Sequence, residues 1–395
     1  MRLVECSWRD PDFPAELIDV AEPPLPNGEW ARVAVTVGGI CGSDLHLFGN
    51  RPTRAPALAP YATTPVHLGH EIAGVVVDAG DDCPFENGTR VAVDPTITCM
   101  ARGIDPVCAM CASGRWSCCL TQNSRVLTPG MSIGFTTGLG GGWSEQVLGH
   151  RTMLHAIPPG VEDRGASLHE PVSICAHGLL RSPPPEGAPV LVIGCGIIGL
   201  AAIAAMHALF PSSPVTAIAR HEHQAAAAKA CGAENVVLGT DDYAHFDELA
   251  AIAGTTITGK ARGQSRMLIR GFPYVVEAVG GHASITESLR LVDRWGTVLF
   301  LGAGGLGEVD LAPLWFKEAA MVGAWNHSPD AHPTGRGETR VEHSVDRALA
   351  ILAAGGLPHE LVVTHEFALE DLRAAIDTAM DKRSGAIKVV FRPQQ

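Results

Sequence analysis

Up to about residue 160, short β-branched runs at 32–37, 72–77 and 89–93 alternate with connections rich in glycine and proline. That rhythm predicts a β-rich, barrel-like domain. The segment Pro183-Pro184-Pro185-Glu186-Gly187-Ala188-Pro189 punctuates the chain, and its character then changes. Four apolar residues, 190–193, run through a glycine turn into an alanine-rich helical stretch, which opens a β-α-β unit. Further apolar strands follow at 215–219, 236–238, 274–277 and 298–301, as a parallel sheet with helices on both faces requires. The stretch 255–270 lacks a clear period, carries four basic residues and reads as a loop insertion. Beyond residue 325 a helix is predicted at 345–354 and a closing strand at 387–391, and this segment is expected to return to the first domain.

Composition narrows the picture. At 395 residues the chain is too long for one ordinary core and predicts two domains, while 46% apolar and 18% charged residues allow large buried cores. The net charge of −13 is spread along the chain, and no Lys/Arg cluster marks a nucleic-acid face. The N-terminal residues contain no signal-peptide core, and the longest apolar stretch, 194–210, is short for a membrane span and holds three glycines and His207. The expectation is a cytoplasmic protein without nucleic-acid or membrane partners.

Gly194-Cys195-Gly196-Ile197-Ile198-Gly199 follows a strand and opens a helix, the context that gives a G-x-G-x-x-G pattern meaning. Gly194 permits the turn, Gly196 lets backbone approach a pyrophosphate, and Gly199 lets helix and strand pack closely. About 20 residues on, an NAD site places an acidic residue at the end of the second strand. Ala219 stands there, followed by Arg220, with His221 and His223 nearby as further donors. Without a carboxylate to repel a 2′-phosphate, and with a guanidinium to pair it, NADP is expected in preference to NAD.

Eleven cysteines without a secretion signal read as metal ligands and core residues rather than a disulfide framework. Cys41-Gly42-Ser43-Asp44-Leu45-His46 and Gly69-His70-Glu71 each set potential ligands close together. Cys99, Cys108, Cys111, Cys118 and Cys119 form a second cluster.

Together with Gly141-Gly142-Trp143-Ser144-Glu145 and Glu170-Pro171, these motifs resemble those of the zinc-containing medium-chain dehydrogenase/reductase superfamily, over most of the chain. Glu170-Pro171 makes it similar to the polyol, threonine and glucose dehydrogenase branch. The resemblance implies an α/β architecture: a split GroES-like β-rich catalytic domain, residues 1–171 and 326–395, around a doubly wound Rossmann cofactor domain, residues 172–325. It makes Cys41 and His70 ligands of a catalytic zinc, with Glu71 and Glu170 either ligating directly or holding the metal-bound water; Cys175 is a rival beside Glu170. Asp44 would orient a ligand, and Ser43 would bridge the substrate oxygen to a proton path including His46. Cys108, Cys111 and Cys119 match three ligands of the family's structural zinc lobe. Asp105 occupies the first position, so either Asp105 or Cys99 completes the site; thiolate is the usual fourth ligand, which favours Cys99.

The activity so implied is hydride transfer between NADP(H) and an alcohol/carbonyl pair, possibly of a polyol, sugar or amino alcohol, in a homodimer or homotetramer. A zinc-free double-bond reductase has no need of these ligands, and a non-catalytic cofactor-binding protein has none for the relay residues. The substrate pocket is expected near Phe48, Trp143, residues 301–305, Trp325 and Asn326, with the proline-rich stretch 50–65 shaping its entrance.

Overall fold

The computed structural model describes residues 1–7, 13–48, 65–124, 126–259, 266–305, 307–333 and 339–394. The stretch 50–65 therefore lies almost wholly outside the described residues. The chain divides into two compact units: Met1–Ser173, Asn326–Ala353 and His359–Gln395 form one, Ile174–Trp325 and Ala354–Pro358 the other.

The first unit is built on a seven-stranded sheet. Its central strand, Trp30–Gly39, alternates apolar and polar positions and pairs antiparallel with Glu71–Ala79 on one side and Gln146–His150 on the other. Arg90–Val93 and Leu154–Ala156 extend the sheet beyond Glu71–Ala79. The C-terminal strand Lys388–Phe391 pairs with the end of Trp30–Gly39, so the tail does close the sheet that the N-terminal half began. A core of Val33, Val35, Ile72, Val76, Val91 and Val147 underlies these strands.

Trp143 is a correction to the expected pocket wall. Its indole is fully buried, its N–H donates to the Gly39 carbonyl at 2.9 Å, and its ring packs edge-on to Phe391. A tryptophan so satisfied is core.

In the second unit six parallel strands run in the order Asn235–Leu238, Val215–Ala219, Val190–Ile193, Phe272–Glu277, Val292–Phe300, Ala320–Gly323. This is the doubly wound Rossmann order, and its switch point lies between Val190–Ile193 and Phe272–Glu277. The central strand is buried at all four positions, as a parallel strand covered on both faces must be. The stretch read as a bare loop insertion carries a small ladder, Ile257–Thr258 against Met267–Leu268, with residues 260–265 outside the described part.

Helix His169–Arg181 was not predicted. Its signal was present: Val172, Cys175, Ala176 and Leu179 are wholly buried and follow the i, i+3, i+4, i+7 spacing of a helix face, with Pro171 tolerated in the first turn. Among the described residues no helix is long and apolar enough to cross a membrane.

Candidate active site and metal centres

The first constellation sits where the central strand of the first unit ends. Cys41 caps the short helix Gly42–Leu45, and its N–H donates to Asp44 Oδ2 at 2.9 Å. That bond fixes the wholly buried Asp44, whose Oδ1 lies 3.4 Å from His70 Nδ1. Ser43 Oγ lies 3.4 Å from His70 Nε2, while His46 is exposed at the end of the helix. Cys41, His70 and Glu71 bring one potential ligand atom each within 4.8 Å of one another.

Two residues that sequence reasoning missed complete the surroundings. Lys388 Nζ donates to both Glu71 carboxylate oxygens at 2.6 Å and to the Ile40 carbonyl at 2.9 Å, with lysine and glutamate side chains each 1% exposed. His327 Nε2 lies 3.5 Å from Glu170 Oε1, and its Nδ1 is 2.6 Å from Ser173 Oγ. Both come from the C-terminal return segment, and no local motif announces them.

Burial disfavours charge on all these groups, and their neighbours decide the outcome. Glu71 is pushed up by burial although Lys388 opposes it. Glu170 is held below the ordinary carboxylate value, since His327 and His70 outweigh burial. His70 is also buried, yet Asp44 and Cys41 hold it well above its usual value. Asp44 Oδ1, His70 Nδ1 and Glu170 Oε2 are buried without a hydrogen-bond partner. A thiol, an imidazole and the Glu71 carboxylate so placed fit a zinc ion, with Asp44 behind His70 in the way a carboxylate orients a ligating imidazole; Glu170, held by His327, is not in that converging group.

The second constellation comprises Cys99, Cys108, Cys111 and Cys119, whose sulfurs lie within 4.8 Å of one another; Asp105 is not in the group. No disulfide joins cysteines among the described residues. Burial raises Cys99 and Cys111, but at Cys108 the Leu120 and Cys111 backbone N–H groups outweigh it and pull the thiol down to about 6. Four sulfurs converging with one thiolate already favoured fit a structural zinc.

In the second unit, Gly194 ends the central strand with φ +93°, and a Cβ at Gly199 would lie 1.7 Å from the Gly194 carbonyl oxygen. A Cβ at Gly196, by contrast, would meet nothing within 4 Å, so the turn is open where a phosphate would approach. Ile197 and Ile198 begin the helix Ile197–Leu209, whose unpaired N–H groups face that turn. Glu277, buried at the end of the neighbouring strand, accepts the Val279 and Gly280 N–H groups at 3.0–3.1 Å and holds the adjoining loop. Ala219 ends its strand fully buried; Arg220 is half exposed and paired with Asp241, itself 89% exposed. The His221 and His223 rings stack 5.4 Å apart.

Comparison with known proteins joins these observations. Residues 27–159 match the alcohol dehydrogenase GroES-like domain family, and residues 197–335 match the zinc-binding dehydrogenase family. The chain is 28% identical over 387 residues to L-galactonate-5-dehydrogenase of Escherichia coli, covering 96% of each chain. It is 29% identical over 361 residues to L-arabinitol 4-dehydrogenase of Aureobasidium melanogenum, covering 90% of this chain and 85% of that one. The solved structure of 2R,3R-butanediol dehydrogenase from Bacillus subtilis shares the fold over 99% of both chains, with a TM-score of 0.73 at 22% identity.

A GroES-like unit with a Cys/His/carboxylate group, joined in one chain to a Rossmann sheet, defines an oxidoreductase acting on alcohols. The protein belongs to the zinc-containing medium-chain dehydrogenase/reductase superfamily, in its polyol dehydrogenase branch.

Proposed function

We propose that the protein is a zinc-dependent dehydrogenase that passes hydride between NADP(H) and an alcohol/carbonyl pair of the polyol, sugar or amino-alcohol class. The observation that carries this reading is the convergence of a ligand atom each from half-buried Cys41 and buried His70 and Glu71 within 4.8 Å of one another. The names of its polyol- and aldonate-oxidising relatives support the substrate class.

In this reading the first unit is catalytic and the second binds the cofactor. Cys41 and His70 hold the cation with Glu71 or Glu170, and Asp44 fixes the orientation of His70. Glu71 converges with Cys41 and His70 while both its oxygens accept from Lys388 Nζ, and Glu170, paired with His327, is the alternative carboxylate. Zinc supplies Lewis acidity toward the substrate oxygen, and the nicotinamide ring carries the hydride. Ser43 Oγ receives the alcohol proton and passes it toward exposed His46. Around the dinucleotide, Gly194, Gly196, Ile197, Ile198 and Gly199 form the pyrophosphate turn, and Ala219 and Arg220 accommodate a 2′-phosphate. Cys99, Cys108, Cys111 and Cys119 hold the structural zinc. A homodimer or homotetramer is supported by the 82% exposed Trp295 and Trp315 and by strand Ala320–Gly323 at the sheet edge.

The test is a panel of polyols, sugars and amino alcohols with each cofactor, on native and metal-stripped protein. Turnover should require zinc and should disappear in Cys41→Ser and His70→Ala while NADP still binds. Undiminished turnover after zinc removal refutes the reading.

A further inference from the structure

Outside both cysteine-bearing constellations, the first unit contains a third group of ligating side chains. Asp94 lies just past strand Arg90–Val93, His155 is in strand Leu154–Ala156, and His343 ends strand Thr339–His343. Their side chains are 2%, 9% and 8% exposed, and one ligand atom from each lies within 4.8 Å of the others. His343 Nε2 is 3.3 Å from Asp94 Oδ2, and the two imidazoles stack with ring centres 4.6 Å apart.

Two features separate this group from an ordinary buried histidine pair. Nε2 of His155 is buried without a hydrogen-bond partner, which is costly unless something satisfies it, and buried Nε2 of His343 has only the Asp94 carboxylate beside it, outside good hydrogen-bond geometry. And His155 Nδ1 lies 2.7 Å from Asp346 Oδ1. A carboxylate only accepts, so Nδ1 carries the proton and the Nε2 lone pair remains available, the arrangement by which a second carboxylate prepares a ligating imidazole. At Asp94 the Thr96 N–H, 2.8 Å from Oδ1, leaves Oδ2 turned toward His343.

We infer that Asp94, His155 and His343 form a third metal site, for a divalent ion of the zinc type, with water in the remaining position. Its ligands come from chain segments far apart in sequence, so the ion ties the C-terminal return segment to the early strands. The cost falls at His343, whose Nδ1 accepts the Val345 N–H at 3.3 Å, a bond that ligation through Nε2 gives up. The site stands independently of the catalytic reading.

The experiment measures zinc per chain by mass spectrometry after dialysis against zinc and desalting, in the native protein, His155→Gln, His343→Gln and Cys108→Ser. Each histidine variant should carry one zinc fewer than the native protein, and combining either with Cys108→Ser should lower the content further. Equal zinc in the native protein and both folded histidine variants overturns the inference. A cadmium-113 spectrum of the loaded native protein decides the matter without any variant. A signal at the nitrogen-and-oxygen end of the shift range, besides those of thiolate-bearing sites, is expected; thiolate-shifted signals alone refute the site.

Discussion

Replacing Lys388 by Met keeps the buried aliphatic stem and removes only the cation that holds Glu71. At a separation of 2.6 Å and an effective dielectric of about 20, the lost attraction is roughly 6 kcal/mol, part of which offsets the desolvation of the two charges. Stranding one partner of a buried pair costs about 3–5 kcal/mol, so K388M should unfold at a melting temperature lower by roughly 6–20 °C. The loss depends on pH in a definite direction. Burial already raises Glu71, and without Lys388 it rises further. The folded state then tolerates Glu71 only when protonated, so the penalty is largest near pH 8 and shrinks as pH falls toward the ordinary glutamate value. Urea unfolding of the native protein, K388M, E71Q and the E71Q/K388M double variant closes a double-mutant cycle. The double variant should recover about 2 kcal/mol or more relative to the sum of the singles. A K388M loss under about 1 kcal/mol, or simple additivity, would refute the charge-pairing argument.

Gly199→Ala drives a Cβ to 1.7 Å from a backbone oxygen and should lower the stability of the second unit, whereas Gly196→Ala, which meets nothing within 4 Å, should melt like the native protein but bind NADP more weakly; calorimetry paired with cofactor titration checks both. Arg220→Ala should raise the KM for NADP roughly tenfold, about 1.4 kcal/mol, with little change for NAD, and Asp241→Ala should lower it by freeing the guanidinium; steady-state kinetics with both cofactors would contradict the assignment if NAD suffers equally. Burial pushes the His67 imidazole down to about 4. The unfolded chain therefore takes up a proton that the folded one refuses, and stability is lost as pH falls from about 6.5 to 4, by about 3 kcal/mol. Denaturation curves across that window should flatten in His67→Gln, and an unchanged slope would count against it.

Local physics made much of the molecule legible in advance. A strand with side-chain period two, or a glycine turn between strand and helix, is specified by residues a few positions apart, which is why residues 32–37 and the Gly194–Gly199 turn stand out in the bare sequence. Cys108, Cys111 and Cys119 were legible for the same reason, their spacing being short. The sequence by itself thus determined the two kinds of architecture and the glycine turn between strand and helix. What only the tertiary structure decided depends on residues hundreds of positions apart: Lys388 beside Glu71, His327 beside Glu170, and His343 beside Asp94. Those partners are supplied by the return of the C-terminal strand to the sheet edge and of the segment after residue 325 to the first unit. Trp143 shows the limit from the other side, since an aromatic residue carries no local mark of whether its ring will face a pocket or a core. Burial and charge pairing are properties of the packed chain, and in this protein they set the environment of the carboxylates around the candidate zinc site.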